Sequence, residues 1–118
     1  MNDRFKFRGI TKGEVNKFVY GSLLWYAGEP QIWDKDGKNY IVKPETIQQC
    51  TGFKDKNGKL IYELDYVRYS NNKYKVEVDK FLGISLTNIL NGDTIVMDNI
   101  VLLNCEVIGN EFESNTKI

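Results

Sequence analysis

The chain has no histidine among its 118 residues. That absence removes Ser-His-Asp and Cys-His catalysis, most zinc sites and the usual general base near neutral pH. Cysteine is nearly as scarce. Cys50 and Cys105 stand 55 positions apart and form no CxxC motif, so a metal or redox centre has little to build on. With no recognisable secretory leader, they fit free, buried thiols in a reducing cytoplasm. No apolar run approaches the roughly 20 residues of a membrane-spanning helix. No glycine-rich phosphate loop follows a strand and opens a helix. These gaps lead to the expectation of a cytoplasmic, non-enzymatic protein with no cofactor, no metal and no membrane span.

Net charge is also zero, yet unevenly spread. Residues 1–59 hold 11 basic and 7 acidic side chains, giving +4, and residues 60–118 hold 5 basic and 9 acidic, giving −4. This falls short of the strongly basic face of a nucleic-acid binder. It suits scattered solvated charge, head-to-tail self-association, or an acidic partner for the first half.

Aromatic residues are abundant: seven Tyr, six Phe and two Trp. At this length the chain can bury a core without staples, as one domain or as two packed subdomains, about 1–45 and 50–112, followed by a frayed polar tail at 113–118. Turn signals recur at strand-like spacing: Asp36-Gly37, Asn57-Gly58, Asn71-Asn72 and Asn91-Gly92. They predict a mainly β fold of meandering antiparallel hairpins forming a small barrel or sandwich, with one or two short helical turns. Residues 4–8 read as a strand and Gly9 to Gly13 as a loop. Lys17 to Tyr26 is apolar on both faces and reads as a well-buried strand kinked at Gly21. Ala27 to Pro30 reads as a turn, and Gln31 to Val42 as a hairpin. Pro44 to Ile47 reads as a helical turn. Tyr74, Val76 and Val78 alternate with charged residues, the mark of a half-buried strand. Phe81 to Leu90 reads as another strand, and Asp98 can cap a short helical turn after it.

The strongest turn signal is Asn57-Gly58, suited to a type I′ hairpin. It sits in a lysine-rich stretch in which Lys54, Lys56 and Lys59 can contact phosphates or an acidic partner, or simply solvate a hairpin tip. Phe5, Phe7, Tyr66 and Tyr69 interleave with Lys6, Arg8 and Arg68. Such a pattern can stack bases, although aromatics in β-domains mostly form core. Asp34, Asp36 and Asn39 faintly suggest a calcium loop, but no glutamate follows at the required distance, and a hairpin turn explains them. Glu63 and Asp65, two apart, can share a face as a carboxylate pair; as turn carboxylates bonding nearby N–H groups they need no substrate.

The run from Gln49 to Val67, QCTGFKDKNGKLIYELDYV, resembles the core signature of the YopX family of phage and prophage proteins. Cys105 to Asn110 with Glu111-Phe112-Glu113 resembles the family's closing segment, Phe5-Lys6-Phe7-Arg8 its opening strand, and Val19-Tyr20-Gly21 its YG element. Two departures stand out: Leu64 replaces a glycine in the family's EGD turn, which implies a different turn or a hydrophobic contact there, and Cys50 replaces a tyrosine. The resemblance implies a YopX-like domain with an SH3-like C-terminal barrel, acting in the bacterial host cytoplasm. We expect a macromolecular-interaction module that binds an unidentified protein or a second copy of itself. Its candidate surface comprises Lys54, Lys56, Lys59, Phe5, Lys6, Arg8 and Arg68. The alternative is nucleic-acid binding through the aromatic and basic residues.

Overall fold

The computed structural model describes residues 6–13, 17–79 and 83–112. The fold is mainly β, in two antiparallel sheets, and divides into two compact units, Met1–Cys50 and Thr51–Ile118. Phe5, Phe81 and the tail from Glu113 lie outside the described residues. Among those described, no helix is long and apolar enough to cross a membrane.

The first unit contains β1 (Phe7–Ile10), β2 (Phe18–Tyr26), β3 (Glu29–Trp33), β4 (Asn39–Ile41), a 3₁₀ turn (Pro44–Thr46) and the start of β5 (Gln48–Lys54). Its strand order is β4-β3-β2-β1-β5. Val19, Ile32 and Val42 form the core, with Phe7, Leu23, Tyr40 and Ile47 packed against them. Proline opens the 3₁₀ turn, where its fixed φ is already helical. Buried Thr46 ties that turn to β1: its Oγ1 accepts from Ile10 N–H at 2.8 Å and donates to Lys43 C=O at 2.7 Å.

Of the expected opening strand, residues 4 and 5 lie outside the described residues, and β1 runs on through Gly9, read above as loop. Gly9 is buried, and a Cβ there would stand 3.2 Å from Val42 Cβ; the glycine permits close packing within a strand instead of ending it. Gly21 does mark an irregularity. Its φ is 156°, and a Cβ would stand 1.9 Å from the Trp33 carbonyl oxygen, so no other residue fits. The turn after β2 is confined to Ala27-Gly28, and Pro30 lies buried in β3. The expected burial of β2 holds only for Val19, since Tyr20, Leu24, Trp25 and Tyr26 are exposed.

The second unit holds the rest of β5, with β6 (Leu60–Tyr62) beside it, then β7 (Asp65–Tyr69), β8 (Asn72–Asp79), β9 (Gly83–Asn88), β10 (Thr94–Val96), α1 (Asn99–Asn104) and β11 (Glu106–Asn110). The strand order β10-β9-β8-β7-β11 leaves β10 and β11 as open edges. The expected barrel is thus not closed among the described residues. Ile61, Val67, Tyr74, Val76, Leu86, Val101 and Cys105 form the core. Tyr74 and Val76 point inward as their alternation predicts, whereas Val78, near the end of β8, is exposed. Asp98 caps α1 as expected, accepting from Val101 N–H at 2.9 Å.

The type I′ geometry falls at a different hairpin from the one expected. Ser70 and Asn71 both have positive φ, 51° and 66°, and join Tyr69 directly to Asn72. Asn57 does not share that conformation; only Gly58 does, at 82°. The Asn57-Gly58 hairpin is instead a longer loop organised by Asp55. The same loop occurs in the first unit, where Asp34-Lys35-Asp36-Gly37-Lys38 matches Asp55-Lys56-Asn57-Gly58-Lys59 bond for bond. Each aspartate carbonyl accepts from the glycine N–H, at 3.1 and 3.0 Å, and each aspartate N–H donates to the final lysine carbonyl, at 2.8 and 2.9 Å.

Candidate functional site

The lysine-rich turn is held by a carboxylate. Asp55 Oδ1 accepts from Asn57 N–H and Lys59 N–H, both at 2.9 Å, and Oδ2 accepts from Val107 N–H at 2.9 Å. Lys56 N–H donates to Cys105 C=O at 3.0 Å. The turn is thereby tied to β11, and Lys56 Nζ lies 3.6 Å from Glu106 Oε2. Lys54, Lys56 and Lys59 are all exposed, as a contacting surface requires. Asp34 holds the turn of the first unit in the same way, with Oδ1 accepting from Asp36 N–H at 2.9 Å and Lys38 N–H at 3.0 Å. Asp34 Oδ1 is thus taken up by its own backbone, as the hairpin-turn reading requires. Among the described residues, no group of three His, Cys, Asp or Glu side chains could hold a metal ion.

The N-terminal candidates separate. Arg8 is buried; its Nε donates to Gln48 Oε1 at 2.7 Å and its guanidinium sits 4.9 Å from the Phe18 ring centroid. It is therefore a structural cation and not part of an exposed surface, because the ring and the amide replace the water it would otherwise need. Phe7 packs on the core of the first unit. Lys6 lines a groove of about 510 Å³ with Tyr20, Ser22, Trp33, Asp34 and Tyr40. In the second unit, Tyr69 packs against the core, Tyr66 is half-buried and Arg68 is exposed. Arg68 and Lys56 line one further groove. Phe5 lies outside the described residues.

The Glu63/Asp65 pair is a turn device. Asp65 is buried, and its Oδ2 accepts from Tyr62 N–H at 2.8 Å. Between the two acids, Leu64 adopts a φ of 68° and donates its N–H to Val76 C=O at 2.8 Å. The backbone conformation is the left-handed one that a glycine would favour, adopted here by a half-buried leucine. Both cysteines are buried thiols outside any disulfide among the described residues. Burial pushes the Cys105 thiol above its ordinary pKa of 9.0, and the nearby Asp55 carboxylate adds to the rise. A thiol so placed is a poor nucleophile.

Sequence reasoning missed an exposed apolar face in the first unit. The register Ser22↔Trp33, Leu24↔Gln31 and Gln31↔Ile41 puts Trp33, Leu24 and Ile41 on one face of the β2-β3-β4 sheet. Tyr26, two residues beyond Leu24, shares that face. All four are exposed, Leu24 at 50% and Tyr26 at 69%. Trp25, opposite Pro30 on the other face, is exposed at 58%. The available signal was the two-sided apolar run FVYGSLLWY, which a buried strand and a strand awaiting a partner share.

The family model described as YopX protein matches residues 6–118. The chain therefore belongs to the YopX family. No curated protein matches it.

Proposed function

We propose that this member of the YopX family is a non-enzymatic macromolecular-interaction module of phage or prophage origin, acting in the cytoplasm of a bacterial host by binding a protein partner or a second copy of itself. The observation that carries the reading is the apolar face formed by Leu24, Tyr26, Trp33 and Ile41. Contiguous exposed apolar side chains mark interaction sites, and their burial contributes roughly 25 cal/mol per Å². Aromatic anchors are typical of the centres of protein interfaces. Lys54, Lys56 and Lys59 supply a separate charged surface in the second unit.

Nucleic-acid binding is the second reading, favoured by the groove that combines Lys6 with Tyr20 and Trp33. Bases stack on exposed aromatic rings, and a cation meets the phosphate.

Affinity capture from the bacterial host, with and without nuclease, separates the two. The tagged wild-type chain is compared with a Leu24→Ser/Tyr26→Ser double variant. A defined protein retained after nuclease and lost from the double variant supports the interaction module. Capture that disappears with nuclease, and weakens steeply with salt, transfers the assignment to nucleic acid. A partner held equally by the double variant removes the apolar face from the account.

A further inference from the structure

The second unit carries a polar groove that the family match does not assign. It measures about 410 Å³ and is lined by Lys56, Arg68, Ser70, Asn71, Asn104 and Glu106, with Tyr69 at its wall. Sequence separation between these residues is large. The fold gathers them by pairing Arg68 of β7 directly with Glu106 of β11 and by docking the Asp55 turn onto β11 through Val107 N–H and Cys105 C=O. Lys56 is therefore held at the groove by its own N–H and by the carboxylate of the preceding Asp55, and does not hang from a free loop tip.

The charges there are unbalanced. Glu106 is engaged by Lys56 at 3.6 Å. Arg68 has Glu106 across from it on one side and Lys73 on the other, and cross-strand partners share a face. At the groove itself two cations, Lys56 and Arg68, thus stand beside one carboxylate that Lys56 already engages, and Lys73 lies beyond Arg68 on β8. Of the other polar groups at the groove, Asn104 Nδ2 already donates to Ile100 C=O at 2.7 Å, while the Ser70 hydroxyl and the Asn71 amide, on a two-residue turn fixed by positive φ at both positions, can donate hydrogen bonds. A guanidinium with its fork open, flanked by neutral donors, matches a planar oxyanion held by two parallel bonds.

The extent of the positive surface decides which oxyanion. The next cation on that face of β8, Lys75, is already bound to Glu111 at 3.1 Å, and Glu77 follows it. Glu106 lies within the groove itself. A phosphodiester chain needs a continuous run of free cations and would meet these carboxylates at both ends. A single carboxylate side chain needs only Arg68 and its neighbours. We propose that the Lys56–Arg68 groove binds a carboxylate presented by an acidic segment of a protein partner. The site uses residues of the second unit alone and is independent of the apolar face on β2, β3 and β4.

The test is a nuclear magnetic resonance titration of the full chain with a blocked tetraglutamate peptide, using tetraglutamine and oligothymidylate as comparison probes. Tetraglutamate is expected to shift the Arg68 Nε–H and the Ser70 and Asn71 amides saturably, and tetraglutamine is expected to leave them in place. Arg68→Gln should weaken tetraglutamate roughly tenfold, the scale of one charge-assisted bidentate pair, and Arg68→Lys should restore only part of it. Leu24→Ser/Tyr26→Ser should leave the titration unchanged, which keeps this site distinct from the apolar face. The proposal is overturned if millimolar tetraglutamate gives no saturable shift at these three groups, if Arg68→Gln binds as wild type does, or if oligothymidylate outcompetes the peptide there.

Discussion

Asp55 and Val107, 52 positions apart in sequence, are joined by a 2.9 Å hydrogen bond from the Val107 N–H to Asp55 Oδ2. The other oxygen of the same carboxylate closes the Asp55–Lys59 turn. One side chain therefore shapes a hairpin and attaches it to a distant strand.

Asp34 provides an internal control, since it closes an equivalent turn with two bonds and is less buried. Replacing Asp55 with alanine strands three N–H groups, one of them in a strand. We expect Asp55→Ala to lower stability by about 3 kcal/mol and Asp34→Ala by about 1 kcal/mol, from the usual worth of bonds to a charged acceptor. Urea unfolding of both variants measures the difference; equal losses would show that the bond to Val107 adds nothing.

Leu64 holds a left-handed backbone that costs a non-glycine residue roughly 1–2 kcal/mol. Glycine would relieve that strain and give back part of the gain through its greater freedom when unfolded, about 0.5–1 kcal/mol. Leu64→Gly is therefore expected to raise stability by about 0.5–1 kcal/mol net. Thermal unfolding checks the sign. A clear loss would mean that the half-buried leucine side chain contributes more packing than its backbone strain takes away.

The Cys105 thiol is raised above its ordinary pKa of 9.0, first by burial and then by Asp55. The folded state thus keeps its proton where the unfolded thiol has lost it. The contribution to stability is complete below pH 9 and is lost as pH rises from there through the folded value. Wild type should lose stability more steeply above pH 9 than Cys105→Ser, measured as urea midpoints across pH. Native Cys105 should also resist iodoacetamide until the chain unfolds. Rapid labelling of the folded protein at neutral pH would contradict both expectations.

Much of the architecture could be read from residues whose effects are local. Asp36-Gly37 and Asn57-Gly58 lie in hairpin loops, Pro44 opens a helical turn and Asp98 caps a helix, because each depends on groups within a few positions. What escaped reading depends on distant partners. Gly9 looks like a loop residue until Val42 and Ile32 are seen packed against it. Arg8 looks like a surface cation, and only Phe18 and Gln48 make its burial tolerable. Alternation shows that Leu24 and Trp25 point to opposite faces of a strand, but it cannot show whether either face is covered. The groove of Lys56 and Arg68 needed the pairing of β7 with β11, which no local pattern encodes.

The two Asp-Lys-Asx-Gly-Lys turns bear on how the chain acquires its structure. Each is closed by bonds spanning no more than four positions, so closing it sacrifices little chain entropy and can proceed on the microsecond scale of hairpin formation. Each unit thus carries a fast local seed of its own. The pairing of β7 with β11, with some 40 residues between them, must wait for slower long-range encounters.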